Sequence, residues 1–191
     1  MRYTESYYNL SHGTDKISAE NIKTKGFALS GDETSWCGEG VYFYDIKAKA
    51  WWAADRKCNE LKHKGFSGVK PAVILADIEN IYKDDTFDLR VKKDLEKFEE
   101  FVNLILPKKK KIIISEIDDA ERKIRLRSAL ISFYAKETQC KLVIGSFRQR
   151  PQPLYEHAIE FANSLDMVFG IETIYCVKDI GIISNIRIGG K

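Results

Sequence analysis

The run KPAVILADIENIY, residues 70–82, constrains the fold more than any other part of the chain. Val73, Leu75 and Asp77 alternate there against Ile74, Ala76 and Ile78, the period of two that marks a β-strand. Other stretches read the same way. SYYNLSHGT is a short aromatic strand that ends in a polar turn, and VYFYD, KLVIGSF, ETIYCVKD and GIISNIRIG are further strands. Helices fall between them. SAENIKTKGF takes Ser18 as its cap, with Asn21 at the reach-back position and Gly26 as its stop. IKAKAWWAADRKCNELKHKG runs to Gly65. DLEKFEEFVNLIL carries Leu95, Phe98, Val102 and Ile105 on one helical face until Pro107 breaks it. Ser115 with Asp118 opens another helix reaching about Glu137, and LYEHAIEFANSL forms the last. LSGDETSWCGEG is a loop.

Strands and helices therefore mix without a βαβ rhythm. No GxGxxG follows a strand and no GxxxxGK[ST] occurs, so the common nucleotide-binding folds are not indicated. The expected class is α+β, built on antiparallel sheets. A chain of 191 residues fills one domain well and is short for two, so residues 1–191 are expected to form a single domain.

Composition excludes several alternatives. A hydrophobic fraction of 44% with 31% charged residues is that of a globular chain, not a disordered one. The net charge of +3 permits a nucleic-acid partner without arguing for one. Cys37, Cys58, Cys140 and Cys176 form no CxxC pair and no metal-ligand spacing with His12, His63 or His157, so reduced thiols and no metal are expected. MRYTESYYNL has no apolar core of a secretory signal, and no apolar run approaches about 18 residues. The expectation is a cytoplasmic protein without a membrane span.

Three pieces far apart in sequence carry the chemistry. The first is Ser11-His12-Gly13-Thr14. The second is Gly38-Glu39-Gly40-Val41-Tyr42-Phe43, followed by Ala50-Trp51-Trp52. The third is Glu172, leading the strand ETIYCVKD. Each has a plain structural reading. Taken alone, His12 is a turn histidine, Tyr42 a core aromatic, the tryptophans helix packing and Glu172 a solvent-facing strand end. By strand alternation, Tyr42 and Phe43 point to opposite faces, with Phe43 toward the core.

The order His-Gly-Thr, an Ile-x-x-x-Gly-Phe helix end, Gly-x-Gly-Val-Tyr-Phe and a late strand led by Glu resembles the ADP-ribosyltransferase superfamily. It is most similar to the diphtheria-toxin and poly(ADP-ribose) polymerase class, whose signature is His, Tyr and Glu on three strands. The likeness spans residues 11–177. It implies split antiparallel β-sheets with flanking helices, and NAD as co-substrate.

By the same resemblance, His12 would hydrogen-bond a ribose hydroxyl of NAD, and the Gly13 backbone would pair with the nicotinamide carboxamide. Thr14 would add a hydroxyl contact. Tyr42 would present a flat face to the nicotinamide ring. Glu172 would be the catalytic carboxylate, holding the ribose 2′-hydroxyl and stabilising positive charge at C1′. The opposing aromatic of many relatives falls on Ala53, so Trp52 is the candidate second plate. The relatives' serine contact falls on Ala50, which cannot donate a hydrogen bond. Glu160 and Glu156 are the fallback carboxylates, one helical turn apart. The loop Leu29–Cys37 would lie over the adenosine side.

Arg148 and Arg150 would meet a pyrophosphate or an acceptor, or else form surface ion pairs. Lys108–Lys111 with Arg122, Lys123, Arg125 and Arg127 make the one concentrated basic region, either a phosphate contact or a solvated face. The resemblance implies a mono-ADP-ribosyltransferase, similar as a compact stand-alone domain to the bacterial or phage-defence toxins of that superfamily. Its acceptor would be RNA or DNA slightly ahead of protein, and it would be restrained by an antitoxin or inhibitor protein. The alternatives are a protein-modifying effector, an NAD-dependent RNA 2′-phosphotransferase and a turnover-deficient NAD-binding module. Against the phosphotransferase, no Arg lies between Arg2 and Arg56.

Overall fold

A computed structural model of the chain describes residues 3–31, 35–106, 120–148 and 171–190. Among them are seven strands and four α-helices: β1 (Thr4–Asp15), α1 (Lys16–Lys25), β2 (Val41–Tyr44), α2 (Lys47–His63), β3 (Pro71–Tyr82), β4 (Thr86–Asp88), α3 (Lys92–Ile105), α4 (Ala120–Glu137), β5 (Leu142–Arg148), β6 (Ile171–Val177) and β7 (Ile183–Gly189). Short 3-10 turns at Lys83–Asp85 and Ile180–Ile182 lead into β4 and β7.

The strands hydrogen-bond in the order β4-β5-β6-β2-β1-β3-β7. The class is α+β as expected, but the split antiparallel sheets are corrected to one continuous mixed sheet. β4 pairs with β5 in parallel. The reason is topological. The chain leaves β4, crosses through α3 and α4, and returns along the same direction, as a parallel pair requires. β4 carries little sequence signal because it is only three residues long. The sheet is narrowest between β1 and β2, where the register joins Ser11 to Tyr44 alone. On its other edge β1 follows β3 from Thr4↔Tyr82 to Asp15↔Pro71.

Alternation sorts side chains to two cores. One face buries Leu10, Phe27, Val41, Phe43, Ile74, Ile144, Tyr175 and Val177 together. The other buries Cys37, Phe87, Ile131, Val143 and Cys176, with Tyr42, Trp36 and Phe147 packed against them. Phe43 is fully buried, which stabilises by roughly 2–3 kcal/mol relative to an exposed ring. Asp77, buried mid-strand, accepts hydrogen bonds from the Asn9 amide at 2.7 Å and the Asn185 side chain at 3.0 Å. Arg187 also reaches it, so one carboxylate ties β1, β3 and β7 together.

The helix ends refine the sequence reading. Asp15, not Ser18, caps α1: its carboxylate accepts from the Ser18 amide at 2.9 Å and the Ser18 hydroxyl at 2.5 Å. The cap thus sits on the last residue of β1 and turns the strand directly into the helix. Gly26 closes α1 with φ 81°, a conformation open to glycine. α2 ends at His63, two residues before Gly65. Along α3, Phe98 packs against Phe87 and Tyr134, whereas Leu95 is exposed. The expected helix start at Ser115 and Asp118, the Lys108–Lys111 run and the LYEHAIEFANSL helix lie outside the described residues. Among the described residues no helix is long and apolar enough to cross a membrane.

Candidate active site

His12 lies inside β1 rather than in a turn. Its Nδ1 is 2.8 Å from the Tyr42 carbonyl oxygen. A carbonyl only accepts, so Nδ1 carries the proton and Nε2 is left as an acceptor. The ring packs edge-on to Phe27 at 5.2 Å and tilts against Phe43 at 5.8 Å. Burial lowers the His12 pKa to about 4. The Tyr42 carbonyl opposes this shift, and the Lys57 ammonium adds to it. The imidazole is therefore neutral at pH 7.

Gly13 is where the helix meets the sheet. A Cβ there would stand 1.9 Å from the Ala50 carbonyl oxygen and 2.7 Å from the Ala54 nitrogen. Only glycine lets α2 approach so closely. The buried residues of α2 are small for the same reason: Ala50, Ala54 and Cys58, one per turn. Thr14 is fully buried, and its hydroxyl accepts from the Lys57 ammonium at 2.9 Å. That ammonium also pairs with Asp15 at 3.4 Å. The expected open contact from Thr14 is thus corrected to an internal one, because Lys57 of α2 reaches the hydroxyl first.

Tyr42 points to the face opposite Phe43. Its hydroxyl donates to the Gly38 carbonyl and accepts from the Cys37 amide at 3.0 Å. Both capacities are used in holding the turn before β2, which leaves the ring as the part able to meet a ligand. Burial raises the phenol pKa far above its ordinary value, helped by Cys176 and Cys37. Lys178 anchors the same turn, donating to the carbonyl oxygens of Cys37 at 2.6 Å and of Glu39. Burial pushes the Cys176 thiol up, but hydrogen bonding with Cys37 and the Lys178 charge outweigh it and bring its pKa to about 7.

Glu172 is buried on β6, not solvent-facing. Its carboxylate forms an ion pair with Lys49 of α2. Tyr42 is in register with Cys176 and Tyr44 with Ile174, so Glu172, two residues further along, leaves the sheet on the Tyr42 face. The two positions are separated by roughly 13 Å of strand. The structure therefore puts Glu172, Tyr42 and α2 on one face. His12 is joined to Tyr42 through the backbone, while its ring faces the Phe43 side.

Trp52 is 49% exposed, with the Arg56 guanidinium 5.6 Å over its ring. Lys49, Trp52, Ala53 and Arg56 follow the i, i+3, i+4, i+7 spacing of one helix face. Trp52 thus belongs to the face that reaches Glu172, and Trp51 is half-buried. Lys49 was missed in the sequence. Its signal was that helical spacing, read from Trp52 back by three. Phe147 was missed as well; it lies directly across from Glu172 on β5. Arg148 ends β5 in register with Ile171, while Arg150, Glu156 and Glu160 lie outside the described residues.

Two cavities border the turn before β2. One of about 580 Å³ is lined by Gly31, Gly38, Glu39, Arg125, Ser128 and Ser132, among others. One of about 440 Å³ includes Leu29, Glu39, Lys136, Lys141 and Lys178. Neither lining includes His12, Tyr42 or Glu172. Among the described residues no group of three or more His, Cys, Asp or Glu side chains could hold a metal.

No protein-family model matches the chain, and no solved structure matches it. It is similar to an uncharacterized protein of Methanocaldococcus jannaschii, 34% identical over 92 residues. That match covers 44% of this chain and 42% of the archaeal protein, so the likeness spans less than half the length of either.

Proposed function

We propose that the protein breaks the nicotinamide–ribose bond of NAD and transfers ADP-ribose to a macromolecular acceptor. One observation carries this reading. The buried Glu172 carboxylate is tied to α2 through Lys49, and the same helix rests on Gly13 of the Ser11-His12-Gly13-Thr14 stretch. Three motifs spread over most of the sequence thus converge on one helix.

The chemistry follows from the residue types. When the C1′–N bond breaks, its electron pair leaves with nicotinamide and C1′ becomes cationic. A buried carboxylate stabilises that charge more than a hydrated one would. The neutral His12 lies on the sheet face opposite Tyr42 and Glu172, so in this reading it positions the Tyr42 strand through the Tyr42 carbonyl rather than touching the reacting ribose. Tyr42 contributes a ring face, since its hydroxyl is engaged with the Gly38 turn. The acceptor then bonds to C1′ and gives up a proton, for which a carboxylate is a suitable base.

The test is nicotinamide release from NAD, followed by chromatography, with transfer of labelled ADP-ribose into cell lysate scored after nuclease or protease digestion. Release that is lost in Glu172→Gln supports the reading. Release that is unchanged in both Glu172→Gln and His12→Ala overturns it. A turnover-deficient NAD-binding module is the second reading, favoured by the Lys49 ammonium on the Glu172 carboxylate. NAD binding by calorimetry with no nicotinamide release under any acceptor selects it.

A further inference from the structure

Directly paired residues on neighbouring strands share a face. Phe147 is paired with Glu172, so its ring leaves the sheet beside the carboxylate. Trp36, from the turn before β2, packs on Phe147 with centroids 4.5 Å apart at 46°. Arg127 of α4 lays its guanidinium 4.2 Å from the Trp36 ring and 5.5 Å from the Phe147 ring.

This arginine is unusual in how it is held. Its Nε is buried with no hydrogen-bond partner, and burial lowers the guanidinium pKa. A guanidinium placed only to hold the fold would be expected to meet its donors' needs with a carboxylate or a carbonyl. Here the aromatic rings fix its plane instead. Trp36, Phe147 and Arg127 are each only partly buried. The 580 Å³ cavity lies along another face of α4, lined by Arg125, Ser128, Ala129 and Ser132, and the three stack residues are not part of its lining. Arg122, Lys123 and Arg125 expose further positive charge on α4.

We propose that the Trp36–Phe147–Arg127 stack is the acceptor subsite and that the acceptor is single-stranded nucleic acid. A base stacks on the aromatic pair, and the backbone phosphate meets the Arg127 guanidinium. Every base offers a flat π face, and a guanidinium fork matches phosphate oxygens. A base inside a duplex could not reach the stack without being extruded. The register that places Phe147 across from Glu172 would bring the bound nucleotide to the carboxylate side of the site. The inference rests on the transfer reaction above for its biological sense, but the binding it asserts is independent of turnover.

The experiment uses the full chain without NAD. Fluorescently labelled 12-nucleotide single-stranded RNA and DNA, the matching duplexes and an acidic peptide are titrated by anisotropy at several salt concentrations. The expected result is tighter binding of a single strand than of duplex or peptide. Arg127→Gln and Trp36→Leu should each weaken it about tenfold, Arg127→Lys should fall between, and Arg127→Gln should flatten the salt dependence. Thermal unfolding checks each variant, and Arg127→Gln carries the test if Trp36→Leu does not fold. Equal affinity of folded variants and wild type overturns the proposal, as does preference for peptide or duplex, or no binding. Failure of binding with nicotinamide release intact sinks this inference alone. Binding without nicotinamide release sinks the transfer reaction alone.

Discussion

Lys49 of α2 and Glu172 of β6 form an ion pair that closes the helix onto the strand carrying the candidate carboxylate. The lysine side chain is 27% exposed and the glutamate side chain 9% exposed. The two partners are therefore unequal. Removing the lysine leaves a buried charge without its counter-ion, whereas removing the charge of Glu172 frees a lysine that can turn to solvent.

The first prediction uses that asymmetry. Lys49→Met should destabilise the fold by about 1–3 kcal/mol, less than a fully buried pair would cost because water reaches the ammonium. Glu172→Gln should unfold within about 1 kcal/mol of wild type and lose about 10²–10³-fold in nicotinamide release. Urea unfolding with parallel chromatographic assays separates the two effects. Equal loss of stability in both variants would refute the asymmetry.

A second prediction concerns pH. His12 titrates near 4 in the fold and near 6.5 when unfolded. Between these values the unfolded chain binds a proton that the folded imidazole does not. Stability is thus complete above about pH 6.5 and falls as pH drops toward 4. The His12 contribution to that loss is about 3 kcal/mol. In His12→Gln the unfolding free energy should vary less across this window. An unchanged slope would show that His12 does not drive it.

The third prediction is steric. Gly13→Ala puts a methyl group against the Ala50 carbonyl and the Ala54 nitrogen, both backbone atoms that cannot rotate away. Overpacking of this kind costs roughly 1–3 kcal/mol. It should also shift α2, and with it Lys49 and Trp52. The melting temperature and nicotinamide release should both fall. A variant with wild-type melting would mean that α2 is not seated on Gly13.

A fourth prediction tests Trp52 as a ring-binding plate. The side chain is half-exposed and engages Arg56, so Trp52→Ala should cost at most about 1 kcal/mol of stability. If the ring meets nicotinamide, KM for NAD rises several-fold in the variant while Trp52→Phe largely restores it. An unchanged KM would leave Trp52 as a surface tryptophan with a cation neighbour.

The sequence was most informative where local patterning and tertiary demand coincide. The alternation at Val73–Ile78 placed β3, and Phe43 lies in the core where alternation put it. Patterning was blind to β4, whose three residues are too few for a period. It chose Ser18 as the α1 cap because a helix start was expected after a turn, whereas β1 runs straight into the helix and Asp15 does the capping. Trp36 belongs to a turn about ninety residues before Arg127 of α4, and Phe147 to a strand about twenty residues after it. Nothing local in any of the three reveals the others.

The sequence by itself determined the α+β class, most strand and helix positions and the order of the His12, Tyr42 and Glu172 motifs. Those features follow from periodicity, turn residues and short motifs, each read within a few neighbouring positions. Tertiary structure alone decided that the sheet is continuous, that Thr14 is spent on Lys57, that His12 and Tyr42 present side chains to different faces and that Lys49 meets Glu172. Each of these depends on strand register or helix docking. Register is set by pairing between distant segments, and docking by how closely Gly13 lets α2 approach, so neither is written in any single stretch of the chain.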